Sequence, residues 1–389
     1  MGKNYQFSIP TIIKCGRGIS AQIGETLKSY RLKKLLIVTD KGVRQANLLE
    51  KIEASLRSSG IDYTIYNDVE PNPKAELVEE GVSFLNAEQC DSVLGIGGGS
   101  SLDTAKGIAA MVTNNGSILD YEGIGKLPNP TLPLFAIPTT AGTGSEATAS
   151  TVFTDRETLF KAVIISPHLF PKVSFLDPDL ILQLPQGITA ATGMDALTHA
   201  IESYVSKDAT PVSRALAIQA IKMIATDLEK TYFVGTDVES RENMLVASML
   251  AGVAFSQSRL GNVHAISHTF GGVFNIPHGI ANATLLPFVM EFNLPACAEK
   301  MKDIAVALGE NVTGLNTLQA GEKAIEAVKR LNQSLNIPNN IKELGVSLDH
   351  LPQMVEDSMR SANVLSNPRL TRAEDIAAII ERAYATEEL

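Results

Sequence analysis

Up to Leu184 the chain alternates short β-branched runs with amphipathic helical stretches, and after Pro185 the strands stop. KKLLIVTD, Leu48–Ser59, IDYTIY, Ala75–Leu85 and DSVLGIGGG follow one another in the first half. That order predicts a parallel sheet, because two parallel strands need a long connection and a crossover helix supplies it. From Ala190 onward, stretches such as AIQAIKMIATDLEK and AEDIAAIIERAY carry apolar residues at i, i+3 and i+4, which predicts helices. The expected architecture is therefore an α/β domain over residues 1–184 and an all-α domain over residues 185–389. No repeat or low-complexity linker separates them, so the two halves are expected to pack closely around a shared cleft.

Composition narrows the function classes. A net charge of −10 with no basic run argues against nucleic acid or an anionic membrane as the main partner and leaves small molecules. No apolar run approaches the ~18 residues of a membrane span, and MGKNYQFSIP lacks the apolar core of a signal peptide, so a cytoplasmic protein is expected. Cys15, Cys90 and Cys297 are odd in number and far apart, which speaks against a disulfide framework or a cysteine-rich zinc site. Ordinary buried thiols are the expectation.

Four of the six histidines fall between Asp195 and His278. Asp195 and His199 in GMDALTHAIESY are four apart, so on a helix over Ala190–Val205 they leave the same face. His264 and His268 in GNVHAISHTFGGVFNIPHG repeat that spacing, and His278 follows Pro277, where a chain turning after Gly271-Gly272 could start a new helix. A single histidine at such a spacing is usually just packed or solvated. Two i,i+4 pairs and a Pro-His-Gly turn together point instead to a metal. One carboxylate and up to four imidazoles could converge from three segments, a nitrogen and oxygen set suited to Fe²⁺ or Zn²⁺ rather than Ca²⁺ or Mg²⁺.

Two turns in the first half carry nucleotide-like chemistry. SVLGIGGGSSLDTAKGIAAM runs a strand into Gly97-Gly98-Gly99, with Ser100 or Ser101 as a possible helix cap. Glycines there let backbone N–H groups approach a diphosphate at a helix N-terminus. FAIPTTAGTGSEATAS sets small hydroxyl residues between glycines, which suits phosphate or carboxamide recognition but equally a solvated loop. Asp40 ends an earlier strand, where a carboxylate could accept from both ribose hydroxyls and repel a 2′-phosphate, favouring NAD over NADP. Asp40 precedes the glycines, whereas the common fingerprint has its acid ~20 residues after them, so a non-standard Rossmann-like unit is expected. Thr151–Thr154 and Phe160–Ile165 flank TDRET as a hairpin, with Lys161 either reaching a ribose or phosphate or simply solvated.

GGGSSLDTAK, TTAGTGSE, DPDL, ATGMDALTHAIE and the HxxxH with PHG together resemble the iron-containing (group III) alcohol dehydrogenases, from about Ile9 to the C-terminal helices. The resemblance implies the dehydroquinate synthase-like architecture, an NAD(H)-binding α/β domain and a helical metal domain with substrate between them. It makes Asp195, His199, His264 and His278 the ligands of one divalent metal, iron foremost and zinc second, and leaves His268 near them but not bound to the metal, as a proton relay. Gly97, Gly98, Gly99 and Ser100 would hold the diphosphate and Asp40 the ribose. Asn72, Asp103, Thr139, Thr140, Thr143, Thr148, Lys161 and Leu180 would line the rest of the cofactor site. A short alcohol or aldehyde substrate and a homodimer or larger homo-oligomer are further implications.

Arg259, five residues before His264, stands where the family's enzymes for neutral alcohols carry Gly, Ser or Asn. A guanidinium there could clamp an anionic substrate end, as in sulfoacetaldehyde/isethionate, succinate semialdehyde or 3-hydroxypropionate, with Thr148, Ser150 and Phe255 beside it. The alternatives are a neutral C2–C4 alcohol or diol dehydrogenase, a dehydroquinate synthase or glycerol dehydrogenase relative, and a non-catalytic metalloprotein or assembly subunit.

Overall fold

Leu35-Leu36-Ile37-Val38 is apolar at every position, the mark of a strand buried on both faces. All four side chains are 0% exposed in the computed structural model, which describes residues 4–385. The chain forms two compact units. The first holds Ile9–Thr140 and Gly144–Gln183; the second holds Leu184 onward, Ala141–Thr143 and the segment ending at Ser8.

In the first unit the strands are β1 (Ile12–Cys15), β2 (Lys34–Val38), β3 (Asp62–Tyr66), β4 (Ser92–Gly97), β5 (Gly123–Ile124), β6 (Leu134–Pro138), β7 (Ser150–Thr154), β8 (Lys161–Ile165) and β9 (Val173–Leu176). Six of them make a sheet in the order β1-β9-β6-β4-β2-β3, every pairing parallel. The connecting helices α1 (Ile23–Ser29), α2 (Lys41–Gln45), α3 (Glu50–Ser59), α4 (Glu76–Glu88) and α5 (Gly99–Met111) bury apolar faces against it. One core gathers Ile52, Leu56, Phe135 and Phe175; the other gathers Val78, Val93, Ile108 and Phe153. Each such side chain contributes about 1.5–3 kcal/mol by leaving water.

β7 and β8 pair antiparallel as the expected hairpin, and β5 joins β8 in a separate three-stranded sheet. Asp103 on α5 ties this small sheet down, accepting from Val152 N at 2.9 Å and from Ser145 Oγ at 2.7 Å. Lys106, one turn along α5 and 1% exposed, donates to Thr148 O, Thr148 Oγ1 and Ser150 O at 2.8–3.0 Å. An ammonium has three donors, and here all three find oxygen.

The second unit is helical: α6 (Gln186–Val205), α7 (Pro211–Phe233), α8 (Val238–Ser258), α9 (Asn262–Val273), α10 (His278–Ala307), α11 (Thr317–Ser334), α12 (Leu351–Arg360), α13 (Asn363–Ser366) and α14 (Ala373–Ala385). Thr210 caps α7 with Pro211 as its first residue, and Asp237 caps α8, as their sequence positions favour. α6 is buried on nearly every side from Gly193 to Val205, so its polar residues sit inside protein. Among the described residues no helix is long and apolar enough to cross a membrane.

α9 ends at Val273, so the chain turns just after Gly271-Gly272, but two other sequence expectations need correction. The N-cap of α5 is Gly98, without a side-chain hydrogen bond, so Ser100 and Ser101 sit inside the first turn rather than capping it. Cys15 is exposed on edge strand β1, whereas Cys90 and Cys297 are buried as expected.

Candidate functional site

In the helical unit, α6 carries Asp195 and His199, α9 carries His264, and α10 begins at His278. Gly279 explains how α10 can start so close to α6. A Cβ on it would lie 2.2 Å from the carbonyl oxygen of Ala191, so only glycine permits the approach. One ligand atom from each of Asp195, His199, His264 and His278 falls within 4.8 Å of every other. Asp195 Oδ1 lies 3.9 Å from the Nε2 atoms of His199 and His264 and 3.8 Å from that of His278. Two atoms each ~2.1 Å from one ion stand about 3.4 Å apart in a tetrahedron, so small side-chain rotations close the set around a cation.

The partners behind these residues aim them. His199 Nδ1 lies 3.2 Å from the carbonyl of Gly142 and donates to it, which turns the Nε2 lone pair toward Asp195. Its ring is stacked between Phe255 and His264, each centroid 4.6 Å away. His264 Nδ1 donates to Glu202 Oε2 at 2.6 Å, and the same carboxylate accepts from Val263 N at 2.7 Å. Glu202 thus sits at the N-terminus of α9, where the helix dipole favours negative charge. Burial pushes its carboxyl up to about 7, opposed by the backbone donors of Val263 and Gly261 and by His199.

Hydrogen bonds at Nδ1, to a carbonyl for His199 and to a carboxylate for His264, turn the Nε2 atoms of both rings toward Asp195. One carboxylate and three imidazoles of this kind fit a divalent transition metal. His268 is half-buried beside the four, its ring centroid 5.3 Å from that of His278 and 6.0 Å from that of His264.

Two residues of this cluster escaped the sequence reading. Glu202 is three residues after His199 and seven after Asp195, a spacing that places it on their face. Asn282, fully buried, follows His278 by one turn, and its Nδ2 reaches Asp195 Oδ1 at 2.7 Å. The i+3, i+4 and i+7 offsets were the available signal.

In the α/β unit, Gly97 adopts φ +149 between β4 and α5, and a Cβ there would meet Ser101 Oγ at 2.5 Å. The first N–H groups of α5 have no intrahelical acceptor, and the N-cap Gly98 brings no side-chain hydrogen bond to them. Asp40 caps α2 through Val43 N at 3.0 Å and accepts from Ser101 Oγ at 3.1 Å, which fixes it at the end of β2, the neighbour of β4. Its carboxylate retains further lone pairs for hydroxyl donors.

Lys161 is buried and donates to Asn72 Oδ1 at 2.8 Å, so it is neither a solvated side chain nor an isolated charge. Thr139 is buried at the start of the loop after β6, Thr140 is half-buried, and Thr143 belongs to the short segment grouped with the helical unit. Thr148 is 1% exposed and committed to Lys106; Ser150 Oγ is 3.4 Å from its hydroxyl. Leu180 is packed in the core with Ile23 and Phe175. Arg259, half-buried, follows α8 with φ 61 and ψ −176, a backbone conformation almost confined to glycine.

The sequence profile described as "Iron-containing alcohol dehydrogenase" matches residues 10–178, and that described as "Fe-containing alcohol dehydrogenase family, C-terminal" matches residues 189–384. The chain belongs to the iron-containing alcohol dehydrogenase family. It is 45% identical to the 1,3-propanediol dehydrogenase of Klebsiella pneumoniae over 98% of this chain and 99% of that one. It is 44% identical to the NAD-dependent methanol dehydrogenase of Bacillus methanolicus over 97% and 99%. A crystal structure of 1,3-propanediol oxidoreductase superposes with a TM-score of 0.96 at 45% identity, covering 98% of this chain and 100% of that one. As an iron-containing alcohol dehydrogenase this chain is an oxidoreductase acting on CH–OH groups, with the family's parallel-sheet and helical halves.

Proposed function

We propose that the chain interconverts short neutral alcohols or diols and their aldehydes with NAD(H), using a divalent metal held by Asp195, His199, His264 and His278. The observation that carries this reading is the convergence of those four ligand atoms, with Glu202 and the Gly142 carbonyl fixing two of the imidazoles. When bound, the metal would act as a Lewis acid on the substrate oxygen and the nicotinamide would exchange hydride with the carbon that bears it.

The chain's own residues do the rest. Asp195 would supply the one negative charge among the four ligands, so a divalent ion held there would keep a net positive charge facing the substrate oxygen. Phe255, stacked on His199, shields that side of the site from water. His268, adjacent to His278 and partly open, would pass the hydroxyl proton outward. Gly97 to Ser100 would receive the diphosphate, and Asp40 the ribose hydroxyls, where its charge discriminates against a 2′-phosphate. Thr139, Thr140, Thr143, Asp103, Asn72 and Lys161 remain candidates for the rest of the cofactor contacts. NAD is further supported by the NAD-dependent methanol dehydrogenase relative, and a neutral substrate by the propanediol and methanol enzymes at 44–45% identity.

Arg259 favours a second reading, an aldehyde with an anionic end. A side chain kept at a glycine-like φ stores of order 1–3 kcal/mol, and such strain clusters at functional positions. The deciding experiment is an NADH-linked screen of metal-reconstituted enzyme against methanol, 1,3-propanediol, lactaldehyde, sulfoacetaldehyde and succinate semialdehyde. Turnover of neutral substrates with NAD supports the first reading. A preference for the anionic pair moves the assignment to the second, and no turnover of any alcohol or aldehyde overturns both.

A further inference from the structure

α9 carries His264 on its first turn, yet it begins without a cap of its own, because Gly261 at the N-cap brings no side-chain hydrogen bond. Its first N–H groups go instead to side chains distant in sequence. Asn262 N donates to Asn367 Oδ1 at 3.3 Å, and Val263 N donates to Glu202 Oε1 at 2.7 Å. Gly261 lies between these two acceptors, and a Cβ on it would stand 3.0 Å from each.

Asn367 belongs to the segment between α13 and α14 and is 1% exposed. Both ends of its amide are committed. Oδ1 also accepts from Asn293 Nδ2 at 3.0 Å, and Nδ2 donates to Asn293 Oδ1 at 2.7 Å, a reciprocal pair that ties the segment to α10. Arg369 repeats the tie, donating to Phe292 O at 2.9 Å with its guanidinium 4.1 Å from the centre of the Phe292 ring. On the other side, Thr371 accepts from the buried Asn262 Nδ2 at 2.9 Å. The segment is thus bonded to the first residue of α9 and to the middle of α10, the helix that begins at His278.

Apolar contact is non-directional, whereas hydrogen bonds weaken steeply with distance and angle, so bonds at the first turn fix where α9 starts. None of them uses His264 Nε2, the atom that faces Asp195, so all of them persist with an ion in place. We propose that Asn367 is a positioning residue of the metal site. Together with Glu202 it holds the first turn of α9, and therefore His264, in register with α10 and His278. The proposal rests on the metal-site reading above, and it adds that metal affinity depends on the Asn367–Thr371 segment, which contributes none of the four ligands.

The test compares full-length wild type, Asn367→Ala, Thr371→Val and, as a stability control, Asp237→Ala. Asp237 caps α8 through Ser240 N at 3.1 Å, at the end of that helix remote from α9, so its loss destabilises the helical unit without touching the first turn of α9. Each protein is stripped of metal, titrated with Co²⁺ and Zn²⁺, and melted in chelator. Asn367→Ala should bind both metals about 3–10-fold more weakly, the size of one lost hydrogen bond, with an altered visible Co²⁺ spectrum. Thr371→Val should shift Kd in the same direction, and Asp237→Ala should lower the melting temperature with Kd within twofold of wild type. Metal binding by Asn367→Ala within twofold of wild type would overturn the proposal. So would an equal loss in Asp237→Ala, because affinity would then follow stability rather than the position of α9. If Asn367→Ala does not fold, Thr371→Val decides by the same twofold limit. Wild-type protein that binds neither metal overturns the metal-site reading itself, a result distinct from any variant outcome.

Discussion

Glu202 and His264 are joined by a 2.6 Å hydrogen bond between the carboxylate and Nδ1, both side chains buried. The bond ties α6 to α9 and selects the His264 tautomer whose Nε2 lone pair faces Asp195. Carboxylate-imidazole pairs of this type raise ligand basicity and fix ring orientation. Glu202→Ala should therefore lower divalent-metal affinity by about 10–100-fold, and Glu202→Gln by less, since the amide oxygen can still accept from Nδ1. Metal content after dialysis against a chelator of known affinity checks the order. Equal metal retention in all three proteins would remove Glu202 from the site's design.

Metal binding should also stabilise the fold. A ligand bound only by the native state adds about 2.7 kcal/mol at a concentration one hundred times its Kd. Thermal unfolding of chelator-treated protein is expected to shift upward on adding Zn²⁺ or Co²⁺, and His264→Ala should lose most of that shift. His268→Ala should keep it, because His268 lies outside the converging four. A histidine outside the ligand set but on the proton path instead changes the pH dependence of kcat. Loss of the metal-induced shift in His268→Ala would place that residue among the ligands and cancel the relay.

Asp40 lets cofactor choice be separated from folding. Its carboxylate both caps α2 and faces the end of β2, so Asp40→Ala would confound cofactor binding with a lost cap, about 0.5–2 kcal/mol. Asp40→Ser keeps a cap acceptor for Val43 N while removing the charge that repels a 2′-phosphate. The expected result is a rise of at least ~10-fold in kcat/KM for NADP with melting temperature nearly unchanged, since 1.4 kcal/mol of relieved repulsion suffices for that factor. Unchanged discrimination would mean that Asp40 is only a cap.

Lys106 predicts a pH signature in stability. Burial lowers its amine from 10.5 to about 8, opposed by Asp103 and Glu146. Between those two values the unfolded chain holds the proton and the folded chain releases it, so this residue's contribution to stability rises with pH across that window. Below about 8 the cost of the buried charge is fully present. Urea unfolding of wild type and Lys106→Met from pH 7 to 10.5 isolates the effect. Wild type should gain on the variant as pH rises, and parallel curves would show that Lys106 does not titrate in this range.

Much of this was legible because it rests on local periodicity. All-apolar β2, the glycine turn after β4 and the i+4 pair Asp195/His199 each carry their meaning within a few residues. Glu202 and Asn282 do not. On its own helix each reads as an ordinary polar residue, and only the packing of α6, α9 and α10 brings them to His264 and Asp195. The cap of α5 was misread for a related reason: serines are good caps, but φ/ψ at Gly98 begins the helix before the chain reaches them. Lys161 reads in sequence as a solvated lysine or a ribose or phosphate contact, because its acceptor Asn72 lies eighty-nine residues earlier.

Arg259 joins stability and specificity in one substitution. At φ 61 and ψ −176 it occupies a region that glycine enters freely, so Arg259→Gly relieves strain of order 1–3 kcal/mol, less the entropy that glycine adds to the unfolded chain. The expected net result is a melting temperature equal to or a few degrees above wild type. Under the neutral-substrate reading, kcat/KM for 1,3-propanediol should stay within about threefold. Under the anionic reading, kcat/KM for sulfoacetaldehyde should fall by about 10–100-fold, the worth of a charged hydrogen bond of 1.5–3 kcal/mol. Measuring both substrates in both proteins separates the cases, because a guanidinium that touches a substrate anion cannot affect an alcohol that lacks one. A fall of equal size on both substrates would assign Arg259 to the geometry of the α8–α9 turn, and its strain to keeping Gly261 and His264 in place.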